Sequence, residues 1–229
     1  MRRIFLNTTS LLVIVSSLSL PAAAQQPRSD SRIFAGGLFG VSALSADAKA
    51  ATSAAGASVS MYSPENGLAL NLFAGAHLTR FFSVQANWIW NRNDLTLVSA
   101  FTPDGGGFYE QPRRSDQHAF VLDGLVYFRG RDSVVRPYLG TGLAIVRFTS
   151  DEAGSATSHG ISPPPGVIAS TRAALRSHVG IDLRLSRRLA FRYSFSETIS
   201  GNPISPSLTP PGPRGLANFQ NLFGFVGRF

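Results

Sequence analysis

The last eleven residues read Phe219-Gln-Asn-Leu-Phe-Gly-Phe-Val-Gly-Arg-Phe229. In an extended chain alternate side chains point to opposite faces, so Phe219, Phe223, Phe225 and Phe229 fall on one side of a single ribbon. A helix would scatter the same rings around its circumference. One face of this segment is therefore aromatic and uncharged, and it ends on an aromatic residue.

The same period of two recurs upstream. Leu189, Phe191, Tyr193 and Phe195 alternate with Ala190, Arg192 and Ser194. Leu175, Val179, Ile181, Leu183 and Leu185 share a face, against Arg172, Arg176, His178, Asp182 and Arg184. Phe82, Val84, Ala86, Trp88 and Trp90 alternate with Ser83, Gln85, Asn87 and Ile89. Phe120, Leu122, Gly124, Val126 and Phe128 oppose Asp123 and Tyr127.

This pattern predicts eight strands over residues 33–42, 67–77, 81–93, 117–129, 135–148, 171–185, 189–198 and 217–229. Gly36, Gly37 and Gly40 blur the face assignment of the first, and Gly140 and Gly142 that of the fifth. The connections alternate in length. Residues 78–80, 130–134 and 186–188 make short turns, whereas 43–66, 98–116, 149–170 and 199–216 are long. An antiparallel meander through a membrane has this signature, with short periplasmic turns and longer extracellular loops. The long segments hold Pro163-Pro164-Pro165, Pro210-Pro211 and Gly105-Gly106-Gly107, a composition that reads as surface loop.

Residue choice on the polar faces separates a membrane barrel from a soluble one. Lys49 is the only lysine in the 229 residues, although the net charge is +8. A solvated face would favour lysine and glutamate. Arginine set against aspartate suits a confined, hydrogen-bonded interior. Asp123, Asp182, Arg172, Arg176, Arg184, Arg192 and Arg228 are thus expected to form an ion-pair network in the lumen. The apolar faces then meet lipid, and Trp88, Trp90, Phe128 and Phe148, near strand ends, are candidates for the interfacial aromatic girdles.

The C-terminal segment, with Phe223, Phe225 and Phe229, resembles the recognition signal that the barrel assembly machinery reads on outer-membrane barrels. Arg136-Pro-Tyr-Leu-Gly-Thr-Gly-Leu143 and Gly180-Ile-Asp-Leu-Arg-Leu-Ser-Arg-Arg-Leu189 resemble segments of the OmpA/OmpX-type outer-membrane β-barrel domain family. The resemblance implies an eight-stranded antiparallel up-and-down transmembrane β-barrel over residues 25–229, in the outer membrane of a diderm bacterium. Its surroundings would be outer-membrane lipid and lipopolysaccharide, and the expected state is a monomer.

The N-terminus fits that destination. Arg2 and Arg3, the apolar run Leu11–Leu20 and Ala22-Ala23-Ala24 compose a secretory signal peptide, with cleavage expected after Ala24. The apolar run is shorter than the about 20 residues that span a bilayer as a helix. The basic residues stand singly among apolar neighbours, which argues against a nucleic-acid partner. With no cysteine there is no disulfide framework or thiolate metal site. No cofactor or metal site is expected.

No catalytic motif of the common hydrolase, zinc-protease or nucleotide-binding kinds occurs. Residues 192–203, Arg-Tyr-Ser-Phe-Ser-Glu-Thr-Ile-Ser-Gly-Asn-Pro, loosely resemble the serine-bearing segment of lipid A deacylase barrels, with Ser196 at the nucleophile's position. Ser194 stands where that family has its histidine, and a serine without an adjacent base is a poor nucleophile. His178 could substitute from the neighbouring strand. By alternation, however, His178 and Ser196 face the lumen, while Glu197 faces out. Arg92, Arg113, Arg114, Arg147 and Arg172 lie near the outer strand ends, where arginine could meet lipopolysaccharide phosphates. The sequence therefore favours a non-catalytic structural or surface-interaction barrel. A small-molecule conduit or lipid-binding barrel comes second, and a lipid A-modifying hydrolase third.

Overall fold

The computed structural model describes residues 32–53, 56–102, 106–208, 210–212 and 214–229. The signal peptide expected over 1–24 lies outside the described residues.

Among the described residues eleven strands form one antiparallel sheet: β1 (Ile33–Leu44), β2 (Asp47–Ser53), β3 (Gly56–Pro64), β4 (Gly67–His77), β5 (Phe82–Thr102), β6 (Gly107–Tyr127), β7 (Val135–Glu152), β8 (Thr157–His159), β9 (Val167–Arg184), β10 (Leu189–Gly201) and β11 (Gly215–Arg228). Eight of them close a ring. β1 pairs with both β4 and β11, with Phe39 opposite Leu70 on one side and Phe223 on the other. The ring runs β1-β4-β5-β6-β7-β9-β10-β11. Closure removes the free edges that an open sheet would expose.

Alternation decides what each face carries. Phe120, Leu122, Leu143, Ile145, Leu175 and Phe225 point outward and are half or more exposed. That contiguous apolar belt far exceeds what a soluble surface tolerates. In a bilayer it meets acyl chains, while each strand of the ring pairs its backbone with a neighbour on both sides.

At the short-turn end, hydroxyls stabilise tight turns. Thr79 Oγ1 accepts the N–H groups of Phe81 and Phe82, and Ser186 Oγ those of Arg188 and Leu189. Such side-chain acceptors favour turns over strand continuation.

The long-loop end departs from the expectation of irregular loops. β5 and β6 pair as far as Phe101 opposite Gly107, so most of 98–116 is strand. β7 and β9 likewise pair out to Asp151 opposite Val167. The Ala/Ser-rich stretch after Ala43 forms the β2–β3 hairpin, and β3 takes over the β5 edge where β4 stops. The reason is that alternation continues past the membrane. Leu95, Leu97, Tyr109 and Phe148 point inward and join Tyr62, Ile168 and Leu216 in a second apolar core above the bilayer.

Candidate functional site in the barrel lumen

The lumen is stacked in layers of different chemistry. At the short-turn end Phe34, Leu38, Phe73, Leu125, Tyr127, Tyr138 and Val226 form an apolar and aromatic floor. Above it lies the ionic layer. Arg192 donates from Nε and Nη2 to the two carboxylate oxygens of Asp182, at 2.6 and 2.9 Å. Arg176 Nη1 donates to Asp123 Oδ2 at 2.6 Å, and His178 Nε2 lies 3.4 Å from the same oxygen.

Two amides join the pairs into one network. Arg192 Nη1 donates to Gln85 Oε1 at 2.8 Å, Gln85 Nε2 to Asn87 Oδ1 at 2.6 Å, and Asn87 Nδ2 to Asp123 Oδ2 at 2.9 Å. The Tyr127 hydroxyl accepts from Arg192 Nη2 at 2.8 Å. Buried charges persist when they are paired and hydrogen-bonded; the Arg192–Asp182 pair meets both conditions, whereas Asp123 Oδ1, Arg176 Nε and the His178 ring nitrogens have no hydrogen-bond partner among the described residues. Gln85 and Asn87 were legible as polar-face residues of the 82–90 alternation, but their bridging role required the three-dimensional ring.

A neutral amide layer follows. Gln220 Nε2 donates to Asn91 Oδ1, Asn218 Nδ2 to Gln117 Oε1, and Asn93 Nδ2 to the carbonyls of Ser42 and Glu65. The apolar outer core caps it, and the 202–208 segment folds into the mouth. Ile204 and Leu208 are buried there, and Asn202 Oδ1 accepts the N–H groups of Ile204 and Ser205. A small cavity sits at this rim beside Gln117, Phe148 and Arg172, with about 10 Å³ of space, enough for about one water.

Of the seven residues expected in the ion-pair network, Asp123, Asp182, Arg176 and Arg192 come together. Three do not. Arg172 stands exposed at the rim, past the last β9–β10 pair, Ser200 opposite Ala174. Arg184 is half-buried at the short-turn end, and Arg228 is buried there; neither has a carboxylate within ion-pair distance among the described residues. Alternation had assigned their face correctly but not their height along the barrel.

Of the girdle candidates, Trp88 and Trp90 point outward, and Trp90 Nε1 donates to Asp116 Oδ1 at 3.1 Å. Phe128 lies just past β6 and is exposed. Phe148 is a correction. It is 3% exposed and belongs to the inner core, because the inward set on β7 is Arg136, Tyr138, Ala144, Val146 and Phe148. Phe223, Phe225 and Phe229 all face outward.

The outer arginines also divide. Arg92 pairs with Asp116 and Arg114 with Asp94, both at 3.0 Å, while Arg147 is exposed on the outer face. Arg113 faces inward, not toward lipid. It donates to Ser150, Gln111 and the carbonyls of Pro165 and Gly166, and so clamps the Pro163–Pro165 loop to the barrel. Burial lowers the Arg113 pKa, and Glu152 and Asp151 push it back up.

The hydrolase arrangement does not assemble. Ser196 is buried in the lumen and donates to Gln220 Oε1 at 3.1 Å rather than to a histidine. No cluster of potential metal ligands occurs among the described residues.

No family model and no curated relative matches the sequence. Solved structures do match. The outer membrane protein OprG from Pseudomonas aeruginosa superposes with a TM-score of 0.54 at 14% identity, covering 87% of this chain and 96% of that one. The chain has the fold of the small OmpA/OmpX-type outer-membrane barrels. Neisserial surface protein A aligns with this small barrel over 86% of its length and 97% of its own, at TM-score 0.47 and 14% identity. Ail from Yersinia pestis aligns over 86% and 99%, at 0.42 and 10%. For this outer-membrane barrel fold, the apolar outer belt supplies the physical reason for its location: lipid covers it without the cost of leaving it in water.

Proposed function

We propose that the chain is a structural, surface-presenting outer-membrane barrel that neither conducts solutes nor catalyses a reaction. The observation that carries this reading is the filled lumen. An eight-stranded ring is just wide enough for side chains to fill it, and here an apolar floor, an ionic layer, an amide layer and an apolar cap follow one another along the axis. A conduit would need a continuous cavity.

The surface role is supported by the strands that continue beyond the membrane. β5, β6, β7, β9 and the β2–β3 hairpin hold the long-loop end as a sheet with its own core. Such a platform holds its outward residues in fixed positions, which lowers the ordering cost of binding a partner. Lipopolysaccharide is the proposed surrounding ligand at the outer interface, with Arg147 its best-placed cation. The proposed girdle consists of Trp88, Trp90 and Phe128, and the proposed assembly signal of Phe223, Phe225 and Phe229.

The test is single-channel recording of the refolded full-length chain in planar bilayers. The expected result is a silent membrane with protein present. Stable conductance steps that persist in a variant lacking 203–208 would favour the conduit reading.

A further inference from the structure

The short-turn end of the barrel concentrates positive charge. Arg80, Arg129 and Arg188 are exposed on or beside the turns, Arg131 and Arg184 are half-buried, and Arg136 and Arg228 are buried just inside the ring. Asp132 is the one carboxylate on these turns. The turns are braced against each other. Arg131 Nη2 donates to the Thr79 carbonyl at 2.9 Å, and Arg80 packs on Gly130 where a Cβ would sit.

Arg136 is the unusual member. It is 1% exposed, its guanidinium carbon lies over the Tyr127 ring, 3.7 Å from the centroid, and Nε reaches the Arg129 carbonyl at 3.4 Å. Stacking occupies the face of the guanidinium and leaves its in-plane donors free. Among the described residues both terminal nitrogens, Nη1 and Nη2, lack a hydrogen-bond partner, as does Nη2 of Arg228. Asp182 is Arg136's register partner on β9, yet both its oxygens already accept from Arg192 and Oδ2 also takes the Tyr127 hydroxyl. Buried guanidinium donors without acceptors are costly, and a fold retains them most economically when a ligand supplies the missing acceptors.

We propose that the short-turn mouth binds a phosphate oxyanion held by the terminal nitrogens of Arg136 and Arg228. A carboxylate has two oxygens and is satisfied by one fork. A phosphate presents enough oxygens to accept from two guanidiniums at once. The exposed arginines on the turns draw the anion toward the mouth. In outer-membrane barrels the short turns face the periplasm, so the phosphate can come from an anionic phospholipid headgroup of the inner leaflet or from a free phosphate in the periplasm.

The experiment is calorimetric titration of the full-length chain in maltoside micelles, which contain no phosphate. The probes are inorganic phosphate, short-chain phosphatidylglycerol and short-chain phosphatidylcholine. The expected result is saturable binding of phosphatidylglycerol or inorganic phosphate, weakened about tenfold or more in Arg136→Gln and Arg228→Gln. Arg92→Gln with Arg114→Gln, at the opposite end, should bind as the unaltered chain does. Phosphatidylglycerol binding without inorganic phosphate binding assigns the site to a lipid headgroup; binding of inorganic phosphate assigns it to a free anion. Folding of each variant is read from its mobility shift on heating, and Arg136→Lys serves if Arg136→Gln does not fold, because it keeps the charge but loses the fork. Absence of binding by the unaltered chain, or equal binding by the folded Arg136 variant, overturns the proposal and leaves water as the partner of these guanidiniums.

Discussion

Arg192 and Asp182 face each other across the β9–β10 pair as register partners, and their side chains meet in a bidentate bridge inside the barrel. Arg192 also lies over the Phe73 and Tyr138 rings, each at 4.9 Å. Removing the carboxylate alone leaves this cation buried among aromatic rings with one amide and one hydroxyl as acceptors. Asp182→Ala is therefore expected to lower stability by about 3–5 kcal/mol. Replacing both partners, Asp182→Leu with Arg192→Met, should recover most of that loss, since apolar side chains of similar volume can fill the site. Urea unfolding midpoints in lipid vesicles check both. An unchanged midpoint for Asp182→Ala would mean the bridge contributes nothing.

Gly142 illustrates a second constraint. A Cβ there would lie 2.2 Å from Asp123 Oδ1 and 2.3 Å from the Leu122 carbonyl oxygen. The second of these is backbone of the neighbouring strand and cannot swing away. Gly142→Ala should cost about 1–3 kcal/mol by overpacking, read as a lower heating temperature for the gel mobility shift. Thr141→Ala, one residue away on the lipid side, should change it little.

These glycines also explain which parts of the fold were legible in the sequence. Alternation on the 82–90, 120–128, 175–185 and 189–195 segments was clear because both faces carry large, chemically distinct residues. β7 was blurred at Gly140 and Gly142 because those inward positions are vacated for the His178 ring and the Asp123 carboxylate. That is a relationship between strands and leaves no mark on the local pattern. The extension of β5 and β6 past the membrane was missed for a related reason. Its outward residues, such as Asp94, Thr96, Glu110 and Arg114, are polar once lipid ends, and its inward ones, such as Leu95, Leu97 and Tyr109, turn apolar. The apolar-out, polar-in pattern breaks down there, with Gln111 and Arg113 also inward and Phe108 outward, so the segment reads as loop. The same breakdown explains Phe148: an aromatic ring at a strand's outer end meets the interface only where aromatic residues still mark the outward face, and Phe148 lies on the inward one.

Phe148 thus gives a test between the two roles. An interfacial ring contributes mainly to membrane depth, whereas a core ring contributes packing. Phe148→Ala is expected to destabilise by about 3–5 kcal/mol, the usual cost of emptying a buried aromatic site. Trp88→Ala, on the outer face, should cost less. The comparison is made on urea midpoints of both variants refolded into the same vesicles. A larger effect at Trp88 than at Phe148 would reverse the assignment.

Arg113 carries the last prediction. The sequence placed it among cations available to lipopolysaccharide, but all three guanidinium nitrogens donate within the protein, to Ser150, Gln111, Pro165 and Gly166. Gln111 in turn donates to the Pro164 carbonyl and to Glu152. Arg113 therefore anchors the proline loop to β6 and β7. Arg113→Gln removes charged hydrogen bonds while leaving the loop's carbonyls buried, so a loss of about 2–3 kcal/mol is expected. The loss should be local, because the ionic layer lies nearer the short-turn end. Limited proteolysis of the refolded variant should cut within 153–166 faster than in the unaltered chain, while the heat-shifted band stays intact. Lipopolysaccharide binding should be unaffected by Arg113→Gln and reduced by Arg147→Gln, the exposed outer-face arginine. If both variants lost it equally, Arg113 would have to leave its five hydrogen bonds to reach the lipid, and the clamp would not be the resting state of the loop.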